Sequence, residues 1–281
     1  MKKYLVSLFF VISSCAFSEN VDVFVKDDVY VDYLKFVNNR DVLTIDNFDG
    51  ESIRRDVVDI ILAQQALAIG GFEHTFSLYP GRVNFRNTKM MQSGQLLMSF
   101  DSYWLNDANK LTDSLYISLP VIRNGEYLAG IYTSHKNTKT LAIKTLADFQ
   151  HLTAVSTPLW RTDWQTLERL QLKALIQENE WLSMARMVHK NWVDFILMPF
   201  NSTPDKSFTL KNISLIPVPN MAVLLKDSRH FVIGKKHPKS KEAISAMNIG
   251  LGKLRALGRI NKAYTEAKVF IDRTNLTILN N

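Results

Sequence analysis

Apolar and polar positions alternate at the start of the region that follows the first twenty residues. Val21, Val23 and Val25 lie on one side of a period of two, which predicts a strand over 21–25. Residues 26–52 read as a polar connection containing aromatics, with Asn38-Asn39-Arg40-Asp41 and Asp49-Gly50 as turn signals. Ser52 is the expected cap of a helix over 53–69, with Val57, Ile60, Ile61 and Leu67 on one face and Gly70-Gly71 as the stop. A strand over 74–79, a helix over 85–91 and a short buried strand over 95–100 complete an α/β unit with a parallel sheet. A second set follows: strands over 129–134, 152–156, 172–177 and 193–198. Between them lie helices over 145–148, from Asp163 to 170, and over 181–189. Apolar runs over 221–225 and 231–234 then precede a helix over 240–257, striped by Ile244, Met247, Leu251 and Leu254 and ended by Gly258. No Gly/Ser linker separates the two sets, so two lobes joined by ordinary strands are expected.

The first eighteen residues read differently. Met1-Lys2-Lys3, an apolar stretch from Tyr4 to Ile12 and the small residues that follow resemble a bacterial secretory signal peptide. Ala16-Phe17-Ser18 fits cleavage before Glu19; alternatively, Ile12-Ser13-Ser14-Cys15 resembles a lipobox that would leave Cys15 as a lipidated N-terminus. The expectation is a soluble periplasmic protein, with lipid anchoring at Cys15 as the alternative. The stretch falls short of the roughly 20 apolar residues that a bilayer requires.

Composition narrows the chemistry. The 281 residues carry a formal charge of +7, which falls to +5 without Lys2 and Lys3. The remaining charge is scattered and accompanies no nucleic-acid motif, so no nucleic-acid partner is expected. The single cysteine, Cys15, lies in the leader, which excludes thiol catalysis in the mature chain. Six histidines show no zinc-binding spacing, and neither Gly-x-Ser-x-Gly, a P-loop nor GxGxxG is present. No metal, cofactor or catalytic residue is predicted.

Three stretches carry a resemblance. Thr145-Leu-Ala-Asp-Phe149 leading to Ala154-Val155, the segments 172–177, 181–189 and 191–194, and Phe231-Val-Ile-Gly-Lys-Lys-His-Pro238 with the helix after it stand in a telling order. That order resembles the periplasmic type II solute-binding proteins (extracellular solute-binding protein family 3), with this chain a divergent member. The resemblance implies an α/β, two-lobed periplasmic-binding-protein-like fold, with mixed sheets, flanking helices and two hinge strands. It places the signal peptide at 1–18, lobe 1 at 19–128 plus 234–281, and lobe 2 at 129–233, with crossings at 128–134 and 231–234. Relatives that bind amino acids carry an arginine soon after a lobe-1 strand as a bidentate clamp for carboxylate. The corresponding run here, Ser102 to Lys110, has none.

Candidate ligand residues follow from strand ends, where open α/β sheets hold ligands. Ser102, Tyr103 and Trp104 offer either an aromatic platform or core packing. Arg161, Thr162, Asp163 and Trp164 open a helix whose N-terminus favours an anionic group, though Asp163 reads equally as a cap. Asn201, beside Ser202, adds a polar contact after a lobe-2 strand, and the resemblance puts Tyr30 over the ligand. Arg54 and Arg55 are disfavoured at a helix start, and salt bridges to the loop around Asp46 and Asp49 are the simple expectation. The expected function is capture of a small polar or anionic, amino-acid-like molecule by a monomer that presents it to a membrane partner, first an ABC permease. A sensory protein docking on a receptor or signalling enzyme is the alternative, and a small periplasmic enzyme the third.

Overall fold

The computed structural model describes residues 20–81, 85–201 and 203–280, so the leader, Cys15, both cleavage readings and Ser202 lie outside the described residues. Strand β1 (Asn20–Val25) turns Val21, Val23 and Val25 into the core, as its alternation requires. The connection expected after it begins with a helix, α1 (Asp27–Val37). Val29, Tyr33 and Phe36 recur at helical spacing and are buried, while Asp27 and Asp28 occupy the first turn, where the helix dipole favours acids. Asn38, left-handed at φ 45°, ends it by donating its N–H to the Leu34 carbonyl.

Helix α2 (Arg55–Ile69) is buried from Val57 to Leu67 because it packs on α1 and on three elements defined below. It starts later than expected: Ser52 sits at φ 61°, and Arg54 is the N-cap. Strand β2 (Thr75–Pro80) then pairs in parallel with β1, Val23 opposite Leu78. Helix α3 (Phe85–Ser93), strand β3 (Met98–Trp104), the short helix α4 (Leu105–Ala108) and strand β4 (Leu115–Ile122) follow.

Strand β5 (Leu128–Thr133) enters the second half, which contains short helices α5 (Thr138–Leu141) and α6 (Leu146–Phe149) and strand β6 (Thr153–Ser156). Helix α7 (Arg161–Arg169) leads to β7 (Ala174–Gln177), parallel to β6; α8 (Trp181–His189) leads to β8 (Ile196–Met198). After β9 (Phe208–Leu210), the long strand β10 (Ile213–Leu224) runs antiparallel to β5. Strand β11 (Arg229–Gly234), helices α9 (Ser240–Ala256) and α10 (Arg259–Glu266) and the short β12 (Thr277–Ile278) complete the chain.

The return segment expected to cross at 231–234 lies inside β11, which is the middle strand of a sheet with β3 and β4. The strand that accompanies β5 is β10, with β8 beyond β5 and β12 at the other edge. Helices α2 and α9 meet with almost no separation: a Cβ on Gly70 would lie 1.9 Å from the Ala246 carbonyl oxygen, and one on Gly250 would lie 1.8 Å from that of Ala66. Among the described residues, no helix is long and apolar enough to cross a membrane.

Candidate functional site

The site grows from the end of β3. Ser102 is buried there, and its hydroxyl donates to Asp59 of α2 at 2.5 Å while accepting from Arg229 Nε at 2.9 Å and Arg55 Nη1 at 3.2 Å. Asp59 is buried, so every lone pair left unpaired would be costly. It also accepts from the Ser102 N–H, from Arg55 and from the Tyr264 hydroxyl of α10. Tyr264 is held far above its usual range by burial and by the neighbouring Asp59 charge, so it stays a neutral donor.

Arg229, 8% exposed at the start of β11, adds a bond from Nη2 to the Ser102 carbonyl and lies 3.6 Å from Asp101. Its guanidinium stacks 4.6 Å from the centre of the Trp104 ring, whose edge-on partner is Tyr127 at 5.4 Å. Burial and the adjacent Arg55 lower the Arg229 pKa, which marks a cation with less opposing charge than its position demands. Its Nη1 makes no hydrogen bond to any described residue. Arg55 is better supplied, with Asp59, Asp56 and, at 3.0 Å, Asp101. Despite its own burial, Asp101 is kept below the ordinary carboxylate range, first by Arg55 and then by Arg229.

Helix α7 faces this cluster from the other half. Thr162 donates to Asp227 at 3.2 Å, and Arg161 pairs with Asp107 of α4 at the same distance. Burial pushes the Asp163 carboxyl up to about 6, only partly offset by the Arg229 charge and its own N–H. The N-terminus of α7 therefore already meets one anionic group, Asp227, from this chain. Beside Asp101, a cavity of about 10 Å³ lined by Lys26, Asp56 and Ile60 has room for one water.

The predicted residues divide. Ser102, Trp104, Arg161, Thr162 and Asp163 come together around Arg229, Asp107 and Asp227. Tyr103 turns to the opposite side of β3, where its hydroxyl bonds Thr88 at 2.9 Å and its ring packs among Met91, Leu96 and Val232. Trp164 donates to Glu168 one helical turn away. Asn201 bonds the Ser207 carbonyl and the Tyr132 hydroxyl, holding the 201–207 loop. Tyr30 lies on α1, half-buried against the core, and takes no part in the bonds described above. The partners of Arg54 are Asp28, Asp32 and Asp56, in place of the loop around Asp46 and Asp49.

Sequence reasoning missed Arg229, a buried arginine beside Ser102 at the start of β11. Its partner Ser102 lies 127 residues away, so no local spacing reveals it. The available signal was a charged residue beside His230, opening an otherwise apolar run.

No family model and no curated protein sequence matches the chain. Solved structures do. The probable amino-acid ABC transporter extracellular-binding protein ytmK from Bacillus subtilis superposes with a TM-score of 0.58 at 11% identity, over 90% of this chain and 99% of that one. The periplasmic VFT2 domain of Bordetella pertussis BvgS gives 0.55 at 14%, over 90% and 93%. The ancestral amino acid-binding protein AncCDT-1, a precursor of cyclohexadienyl dehydratase, gives 0.53 at 16%, over 90% and 96%. Identities this low speak to fold alone. With mixed sheets flanked by helices, and β5 and β10 paired in antiparallel, the chain has the type II periplasmic-binding fold.

Proposed function

We propose that this protein captures a small molecule bearing a carboxylate between its lobes and presents it to a membrane partner, an ABC permease. The observation that carries this reading is Arg229: a buried guanidinium at a β-strand end, fixed by Ser102 through two of its nitrogens, with Nη1 left for a ligand. An arginine fork held in this way suits a planar carboxylate, which a lysine would meet only as a point charge. Asp163, on the facing helix, supplies the counter-charge for an ammonium group, so a zwitterion of amino-acid type fits both ends. Structural similarity to ytmK supports the transport role, and similarity to the BvgS domain supports sensing as the second reading. The lobes are read as 19–128 with the end of the chain, and 129 to β10, with export through the leader to the periplasm.

The test is a thermal-shift screen with amino acids, organic acids, polyamines and nucleobases, on the wild type and on Arg229→Lys. A ligand at 100 times its Kd adds about 2.7 kcal/mol of stability. Carboxylate-bearing ligands should raise the Tm of the wild type, and Arg229→Lys should weaken that response at least about tenfold in ligand concentration, the loss of one charged hydrogen bond. Binding by polyamines alone, unchanged in the variant, would overturn the reading.

A further inference from the structure

The contacts between α4 and α7 belong to no strand ladder. Asp107 on α4 meets Arg161, the first residue of α7, at 3.2 Å. Asp227, on the connection from hinge strand β10 to β11, is 5% exposed. One of its oxygens accepts from the Asn106 N–H at 3.3 Å and from the Thr162 hydroxyl at 3.2 Å, and the other takes the Ser228 N–H at 2.8 Å. A single buried carboxylate at the end of a hinge strand thus binds α4 on one side and α7 on the other.

We propose that Asp227, with the Asp107–Arg161 pair, is a latch that closes the lobes through the chain's own side chains, so that closure does not wait for a ligand. This inference rests on the two-lobe reading of the cleft and concerns how that cleft is regulated. Contacts present only in the closed arrangement shift the equilibrium toward it, whether a ligand or the protein supplies them. Hydrogen bonds to a carboxylate are stronger than neutral ones, and partial burial shields them from water. Asp227 stays on the α4 side through the Asn106 N–H and the neighbouring Leu105–Ser228 bond, so a modest rotation parts Thr162 from Asp227 and Arg161 from Asp107 together. The latch therefore makes the open arrangement through which a ligand enters scarcer, and the closed surface is available for docking at rest.

Spin labels at Lys190→Cys, after α8, and Lys241→Cys, on α9, in a Cys15→Ser background of the full chain would report the lobe separation without any ligand. Both lysines are exposed. The latch predicts one short distance for this parent and, in Thr162→Val, a second, longer distance whose population rises at least about fivefold, the ratio that one lost hydrogen bond gives. Asp227→Asn and Asp107→Asn should each shift the distribution the same way. Thr162→Val is nearly isosteric and carries the test if an aspartate variant fails to fold. A parent that already shows the long distance overturns the latch, as does a Thr162→Val distribution that matches a short-distance parent. Because no ligand enters this measurement, a failed latch leaves the ligand reading standing, and a failed ligand screen leaves the distances interpretable.

Discussion

Replacing Asp163 by Asn isolates the cost of placing a charge where α7 meets the β3 cluster. Burial raises this carboxyl from 3.8 to about 6, and the positive charge of Arg229 only partly opposes it. Because the folded pKa exceeds the unfolded one, the folded chain holds this proton more tightly than the unfolded chain. The associated stability is complete below about pH 4 and is lost as the pH rises through about 6. A displacement of this size corresponds to about 3 kcal/mol at most. The residue is only half-buried, and solvent screening reduces the figure to about 1–2 kcal/mol. Asn keeps the shape and removes the charge, so it resembles the protonated form at every pH. Urea unfolding from about pH 4 to about pH 7.5 should therefore show the variant level with wild type at the acid end. At the neutral end it should be more stable by about 1–2 kcal/mol. A difference that stays flat with pH, or that favours wild type at neutral pH, would refute this reasoning. The same variant should bind an ammonium-bearing ligand at least about tenfold more weakly, since a destabilising charge retained in a cleft is the usual trade of stability for binding.

Two other substitutions test the packing beneath the site. Ser102→Ala removes a hydroxyl that serves Asp59, Arg55 and Arg229 together, and should cost about 2 kcal/mol, read as a lower urea midpoint at unchanged slope; a loss under about 0.5 kcal/mol would show that the network relaxes around the gap. Gly250→Ala should cost about 3 kcal/mol because its new methyl would overlap the Ala66 carbonyl, whereas Gly252→Ala, with nothing within 4 Å, should gain up to about 1 kcal/mol from helix propensity. Equal midpoints for the two glycine variants would contradict the close α2–α9 approach.

Several elements were legible because their signal is local. The alternation at 21–25 and the stripe Ile244, Met247, Leu251 and Leu254 lie within one strand or helix, and both formed as expected. Helix α1 was hidden by its polar surface, although Val29, Tyr33 and Phe36 carried the right period. Strands β4 and β10 were obscured by Pro120, Pro217 and Pro219, which lack the N–H that a ladder needs. Two separate sheets accommodate them, with Pro120 opposite His230 and Pro217 opposite Tyr132, each next to a shift in register.

The site followed a different rule. Sequence alone determined that two α/β sets follow one another without a linker, that the sole cysteine lies within the first eighteen residues, and that Ser102, Trp104 and the opening of α7 stand at strand ends. Tertiary structure decided which charges meet. Asp59 joins Arg55, Ser102 and Tyr264; Arg229 reaches Ser102 across 127 positions; and Asp227 joins Asn106 to Thr162. Local periodicity records which face of an element avoids water, because burial acts on each residue where it stands. A buried charge is tolerated only beside its partner, and that partner is set by how distant strands come to lie side by side.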